Sequence, residues 1–585
     1  MDAPPTKRWI TENRVEPRYT FWTRANVGEV LPEPPSPLGW DLVWEGACVS
    51  GWRDLFIQRM GMAPDELDPF RAELVGIFGG YAYLGASVFR VWAGRTPGMT
   101  PTTIDEVYFG DHPDVPPYVA EDWHTNPRTT EIMSEWLNWA TAELTQDELE
   151  ADRAESLRLR AARPDFSAMS EAALLGCMIS MRPLFRRLFH QHINQSIGAS
   201  VGPGILGQLC TSVGQPTWTM RLMVGFGEVD SAAPSYAMWE LGRTVRASGS
   251  LTALFDGGVK GLCDRVRAAG DPDSVGFVAE FDRFIAEFGS RGANEWDLIA
   301  QVWEVNPDVA LAAIDRMRTA GDEASPRHKT QERAAERLDI EHRIRTALAG
   351  DAVALGALEV GLRSAATFVP GRERSKTTII RTIHETRMAT IELGHRFTAQ
   401  GRLNAPSDVF LLFLDELTEM VAGNLANVPD LIAERTVYRS WLASLEPPFI
   451  LKGTTTPNVE WPRKGSRVVA NAAVGEVIQG VPGCPGMATG RARVILDPSD
   501  PTALEPGEIL VAPCTDPSWT PLFVSAAAVI VDVGAALSHA VIVSRELGIP
   551  CVPSALDATR RIPDGALVSV DGDAGTVTIL DLPGT

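Results

Sequence analysis

The residues best suited to chemistry lie near the C-terminus, in Ala526 to Pro550, AAAVIVDVGAALSHAVIVSRELGIP. A short apolar strand runs to Val533, Gly534 allows a tight turn, Ser538 is a natural helix N-cap, and His539 falls in the first turn of the following helix. Backbone N–H groups at a helix start lack intrahelical partners and the helix dipole is positive there, so an anion on or beside His539 is stabilised. The same field disfavours imidazolium and keeps the ring a neutral nucleophile. These features suit an imidazole that takes up a phosphoryl group and hands it on. The plainer alternative is a capping or buried structural histidine. Nearby, Thr515 offers a hydroxyl to a phosphoryl oxygen or merely turns the chain at Thr-Asp-Pro. Arg545, about two turns into the helix, offers a phosphate-binding guanidinium or a structural ion pair.

Two further groups stand out. In Phe288 to Leu298, FGSRGANEWDL, Arg291 supplies a cation for phosphate, and Glu295 and Asp297 supply carboxylates to orient or deprotonate a hydroxyl. A structural ion-pair cluster is the competing reading. Arg372, Arg374, Lys376, Arg381 and Arg387 form a basic run that is either a landing site for a phosphorylated group or a solvated face. Of the aromatics Trp22, Trp40, Tyr81, Tyr83, Trp92, Trp303 and Phe368, a few are candidates to line an apolar pocket and most read as core.

The elements that must position these groups fall into two kinds. After about 45 residues rich in Pro and Trp, whose prolines at 32, 34, 35 and 37 forbid a continuous helix, helical periodicity begins near Gly51 and dominates to about Leu445. Expected helices include Thr130–Arg160, Met169–Ile193, Ser250–Ala268, Val275–Phe288, Pro307–Ala320, Pro326–Ala349 and Lys376–Gln400. A polar, Pro/Gly-punctuated stretch over 452–475 reads as a hinge. Beyond it come short β-branched strands, at 492–496, 509–512, 528–533, 567–570 and 576–580, with one helix at 538–547. The expected fold class is therefore multidomain, α plus α/β. A mostly helical domain covers 1–451, and a small β/β/α domain covers 476–585.

The composition, 45% hydrophobic and 22% charged over 585 residues, is ordinary for a globular protein, and the formal net charge of −22 disfavours nucleic acid or an anionic membrane surface as a partner. Seven scattered cysteines without C-x-x-C argue for reduced thiols and against a structural metal site. The first residues lack the apolar core of a secretory signal, and apolar runs such as 526–531 are far shorter than the ~20 residues of a bilayer span. A cytoplasmic location is the expectation.

The segment Asp532 to Pro550 resembles the phosphohistidine signature of the swivelling domain in phosphoenolpyruvate-utilising enzymes, and TDPSWTP (515–521) and GCPGMATGRARV (483–494) resemble that domain's other stretches. Ala535 replaces the second glycine of the signature. WTRANVGEVLPEPPSPLGW (22–40), GGYAYLGASVFRVWAGRTPGM (79–99), GFGEVDSAAPSYAMWEL (225–241), FGSRGANEWDL and GRLNAPSDVFLLFLDEL (401–417) resemble the substrate domain of rifampin phosphotransferases. Two departures are Ser290, where the family pattern has His, and Gly85, where relatives tend to carry Asn. The resemblance implies a dikinase-type phosphotransferase. His539 is the phosphohistidine, Ser538, Thr515, Arg545 and Gly534 surround the phosphoryl group, and Arg291, Glu295, Asp297, Arg374 and Arg381 are acceptor-domain candidates. No stretch resembles the ATP-grasp half of such enzymes. ATP and Mg²⁺ are therefore expected on a separate ATP-grasp subunit, in the split organisation of phenylphosphate synthase, with a small hydroxylated apolar molecule as acceptor. The alternative is a non-catalytic, regulatory or phosphocarrier protein that binds a partner protein.

Overall fold

In the computed structural model the described residues are 6, 8–13, 18–67, 73–109, 112–142, 145–226, 229–453, 457–467, 469–496, 503–515, 519–534 and 538–583. Ala535 lies outside them. Helix formation starts earlier than the proline content suggests. After β1 (Phe21–Thr23) and α1 (Val27–Val30), α2 (Pro37–Gly39) runs without interruption through a wide π-type segment, Trp40–Cys48, into α3 (Val49–Gln58). The cause is local. The Ser36 hydroxyl accepts the Gly39 N–H at 3.2 Å, and Pro37 sits in the first turn, where its missing N–H costs nothing.

The chain continues through β2 (Val75–Phe78), β3 (Tyr81–Leu84), α4 (Ala86–Arg95) and α5 (Pro101–Phe109). Next come α6 (Pro127–Thr141), α7 (Asp147–Ala161), α8 (Glu171–Ser180), α9 (Arg182–Ser212) and α10 (Trp218–Arg221). Then follow α11 (Ala233–Ala247), α12 (Gly249–Asp256), α13 (Leu262–Ala269), α14 (Pro272–Phe288), α15 (Pro307–Thr319) and α16 (Pro326–Ala347). The body closes with α17 (Ala352–Ala399), α18 (Leu414–Val421), α19 (Val428–Ala443) and β4 (Ile450–Lys452). Three of the expected single helices, those at 130–160, 169–193 and 250–268, are pairs broken by short turns. Conversely, the helix expected from Lys376 begins at Ala352 and runs 48 residues with Pro370 inside it. Its length and apolar first half satisfy the criterion for a membrane span, but it packs along α9. Glycines permit the close approach, since a Cβ on Gly202 would lie 2.5 Å from the Ala365 nitrogen. Gly85, one of the two departures, is also explained by space: a Cβ there would lie 1.8 Å from the Glu73 carbonyl oxygen.

In the body, β2-β3-β1-β4 form an antiparallel sheet, so the strand before the hinge region returns to pair with the first strand of the chain, Phe21 opposite Lys452. Trp461 packs on Tyr81, and the Lys464 N–H donates to Ser444 O at 2.9 Å, so this part of 452–475 is fastened to the body. The Ala472 N–H already donates to Arg561 O, beyond the hinge.

The C-terminal unit is built on β5 (Val477–Gln479), β6 (Met487–Val494), β7 (Ile509–Ala512), β8 (Ala528–Val531), β9 (Cys551–Val552), β10 (Leu567–Asp571) and β11 (Thr576–Asp581). They form one sheet in the order β5-β11-β10-β6-β7-β8-β9, antiparallel up to β6 and parallel beyond it. The parallel half carries α20 (Thr520–Ser525), α21 (His539–Leu547) and α22 (Ala558–Arg561). Phe523, Val541 and Leu547 share one buried apolar cluster with Trp239, Phe284 and Trp303 of the body, and the helical face of the small unit is seated on the body through α20 against α15 and α21 against α16. Each such side chain contributes about 1.5–3 kcal/mol when fully buried.

Candidate active site

His539 is the first residue of α21, preceded by Ser538 in an extended conformation at the N-cap position. The serine hydroxyl makes no capping bond, contrary to expectation; it is buried without a hydrogen-bond partner and lines a cavity. The His539 N–H instead donates to Glu29 Oε2 at 3.4 Å, across the junction with the body. The ring lies edge-on to Phe523, with Nδ1 3.0 Å from the Thr515 hydroxyl oxygen. With Nδ1–H donating to Thr515, Nε2 keeps its lone pair. Burial, reinforced by Lys376 and Arg291, holds the imidazole well below the usual histidine range, so the ring is neutral.

The ring faces a cavity of about 220 Å³ between the small unit and the body. Most of its wall is apolar: Trp52, Phe89, Trp92, Ile193, Ile197 and Trp296 come from four separate elements of the body. Glu29, Glu295, Arg372 and Lys376 bring charge to the same lining as His539, with Lys376 acting on both Glu29 and the ring. Burial pushes the Glu29 carboxyl up to about 7, against the opposing pull of the His539 N–H, Arg372 and Lys376. His192, on the same wall, is driven down to about 3 by burial and by Arg372 and Lys376, with Nδ1 3.0 Å from the Ser375 hydroxyl. Among the described residues, four buried polar atoms at this cavity have no hydrogen-bond partner: Ser231 Oγ, Asn294 Oδ1, Glu295 Oε1 and Ser538 Oγ. Each orphan costs about 1–3 kcal/mol unless something fills it. Asn294 also holds a left-handed backbone, φ 52°, which is uncommon away from glycine. A largely apolar chamber with orphaned donors and acceptors is built for a ligand.

Residues 190–373 match the rifampicin phosphotransferase fourth domain, and residues 504–575 match the mobile domain of phosphoenolpyruvate-utilising enzymes. Two parts of the chain are thus similar to domains of rifampicin phosphotransferase-like, phosphoenolpyruvate-utilising enzymes. Among its relatives are a prodigiosin-synthesising transferase of Serratia marcescens, 33% identical over 53% of this chain and 34% of its own length, and a rifampicin phosphotransferase of Bacillus cereus, 28% identical over 51% and 34%. An uncharacterised protein of Mycobacterium tuberculosis is 38% identical over 37% of this chain and 24% of its own. The chain thus aligns with about a quarter to a third of the length of these curated relatives.

The candidate residues separate clearly. His539, Thr515, Ser538 and Glu295 are brought together at the cavity. Gly534 supports them through space, not through a left-handed φ: a Cβ there would lie 3.1 Å from Pro553, Ser538 and Val531 at once. Arg545 lies off the cavity, its Nε donating to Gly483 O at 3.3 Å and Nη2 reaching Met220 Sδ at 3.4 Å, so it ties α21 to its own unit and to α10. Arg291 pairs with Glu295 at 2.8 Å and donates to Thr377 at 3.1 Å, reaching His539 only through its field. Asp297 caps α2 by accepting the Ser36 N–H at 2.7 Å and faces a different recess. In the basic run the helical period sorts the cations. Arg372 and Lys376, four residues apart, share the cavity face, whereas Arg374 pairs with Glu150 and Arg381 donates to Ser156 at 2.8 Å on the α7 side. Of the aromatics singled out in the sequence, Trp92 alone lines the chamber. Glu29, His192, Asn294 and Trp296 escaped sequence reasoning. The available signal for Glu29 was an acid inside the otherwise apolar run VGEVL.

Proposed function

We propose that this chain is the acceptor-binding and phosphoryl-carrying component of a dikinase-type phosphotransferase. His539 receives a phosphoryl group on Nε2 from an ATP-grasp partner and delivers it to the hydroxyl of a small apolar alcohol or phenol held in the chamber. The supporting observation is the neutral His539, anchored through Nδ1 by Thr515, facing a largely apolar cavity whose lining includes Arg372 and Lys376.

In this reading Arg372 and Lys376 offset the charge of the phosphoryl group in a site shielded from water, where such contacts are strongest. Thr515 fixes the tautomer and angle of the ring, and the unpartnered Ser538 hydroxyl is free to donate to a phosphoryl oxygen. The aromatic wall holds the acceptor in line with Nε2. Among the described residues no three His, Cys, Asp or Glu side chains converge as a metal site, and no step on this chain is routed through Mg²⁺. ATP and Mg²⁺ are assigned to the partner. The hinge expected within 452–475 would supply the swing between the two sites.

The test is to incubate the chain with a co-expressed ATP-grasp partner and γ- or β-labelled ATP. The expected result is an acid-labile, base-stable label that is absent in His539→Ala and that passes to an added phenol or alcohol. A label that never forms, or that persists in His539→Ala, overturns the proposal.

A further inference from the structure

We propose that Glu29 is the general base of the acceptor reaction, taking the hydroxyl proton as the phosphoryl group leaves Nε2 of His539; this role rests on the relay reading above. Glu29 is a carboxylate of the body that reaches the helix start of the carrier, with Oε2 3.4 Å from the His539 nitrogen. It lines the same cavity as the imidazole. An acceptor oxygen placed for in-line attack on a phosphorus borne by Nε2 therefore has this carboxyl on the chamber wall beside it.

Other candidates for the base fit poorly. His192 is engaged at Nδ1 by Ser375, and its burial beside two cations leaves it too weak a base to hold a proton. Glu295 is committed to Arg291 at 2.8 Å and faces Lys376 at 3.7 Å. Glu373 pairs with Arg372 at 3.4 Å. Among the described residues no ion pair or side-chain hydrogen bond engages Glu29, whose bond from His539 comes from the backbone. Its carboxyl, lifted by burial to about 7, titrates where a base working near neutral pH is most effective.

The step balances. The P–Nε2 bond breaks and its electron pair returns to the imidazole; the acceptor oxygen forms the new P–O bond; its proton moves to Glu29. The products are a phosphate monoester, a neutral ring and a protonated carboxyl, which loses its proton to solvent when the chamber opens.

The test uses the full chain charged chemically on histidine with phosphoramidate, so that no partner is required. Wild type and Glu29→Gln, isolated and brought to the same measured label, are followed for discharge to two probes: benzyl alcohol, which carries its proton, and 4-nitrophenolate in mildly alkaline buffer, which has none to give. Loss of a general base lowers the first rate by about 10²-fold or more and leaves the second nearly unchanged. The wild-type rate on benzyl alcohol rises with pH through the Glu29 titration, and the variant loses that limb. The titratable and charged groups facing Glu29 across the chamber are Tyr108 of α5, His192 of α9, Glu295, Arg372, Glu373 and Lys376, together with His539 itself. Equal losses on both probes show that Glu29 only positions α21 and overturn the inference, as does no loss on either. A Glu29→Asp variant with intermediate benzyl alcohol discharge and normal nitrophenolate discharge supports it, and equal losses on both probes in that variant refute it as well. Wild-type protein that accepts label on His539 yet discharges to neither probe overturns the proposed function together with this role.

Discussion

The loop carrying Asn294, Glu295 and Trp296 is held from beneath by one buried guanidinium, and removing it gives a sharp test. Arg387 is fully buried. Its Nη2 donates to Glu295 O at 2.8 Å and Asp297 O at 2.9 Å, its Nε to Leu298 O at 3.1 Å, and its Nη1 lies 3.1 Å from His384 Nδ1. Burial lowers the guanidinium only to about 10, so it stays charged. Arg387→Met strands three carbonyls at about 1–3 kcal/mol each. The sum is about 3–9 kcal/mol, and water entering the gap brings it towards about 4 kcal/mol. At about 1.4 kcal/mol per decade, the closed loop then opens roughly 10²–10³ times more often. The amides of Trp303 and Glu304, which donate to Arg291 O and Gly289 O at 2.9 Å, report this directly by hydrogen exchange. Their exchange is expected to accelerate by that factor, while amides of β7 and β8 in the small unit do not change. An acceleration below about tenfold, or one shared equally by β7 and β8, refutes the view that Arg387 locally holds this wall of the chamber.

The remaining predictions concern the carrier. Thr515→Val removes one hydrogen bond to Nδ1 without changing the volume much; at about 0.5–1.5 kcal/mol it should slow discharge from His539 roughly two- to tenfold, and an unchanged single-turnover rate would contradict the anchoring role. Seating of the small unit should also depend on pH in a defined way. The seated His539 has a lowered pKa, so its contribution is present above about 6.5 and is lost as pH falls. Glu29 is raised to about 7 when seated, so its contribution is present in acid and is lost as pH rises through 7. Between about pH 5 and 6 the two effects oppose each other. Small-angle scattering of wild type should therefore change little there, whereas Glu29→Gln should undock progressively on acidification. A variant as flat as wild type would show that the two groups do not titrate together.

Legibility in the sequence followed the range of the interactions. The turn, N-cap position and helix around His539 depend on neighbours within a few residues, and the strands at 509–512, 567–571 and 576–581 fall within a residue of the pattern that announced them. The chamber is different. Glu29 precedes His539 by 510 positions, and Trp52, Phe89, His192 and Trp296 come from separate elements that only tertiary packing brings together. Arg374 and Arg381 illustrate a second limit: a basic run on a helix shows its charge but not which face turns inward, and a two-residue step crosses to the opposite side. Pro37 and Pro370 show a third. One starts a helix and the other is carried inside one, because a serine cap and a long partner helix outweigh the local penalty.

Thr515, Ser538, His539 and Ile542 form one wall of the chamber, and everything else in its lining belongs to the body. In the proposed relay the courier is thus also the door. While it was away collecting its cargo the room would stand open for an acceptor to enter or a product to leave; on its return, the same movement that presents the phosphorus would shut out the bulk water that otherwise consumes it. Admission and reaction would then be kept apart by a single swing.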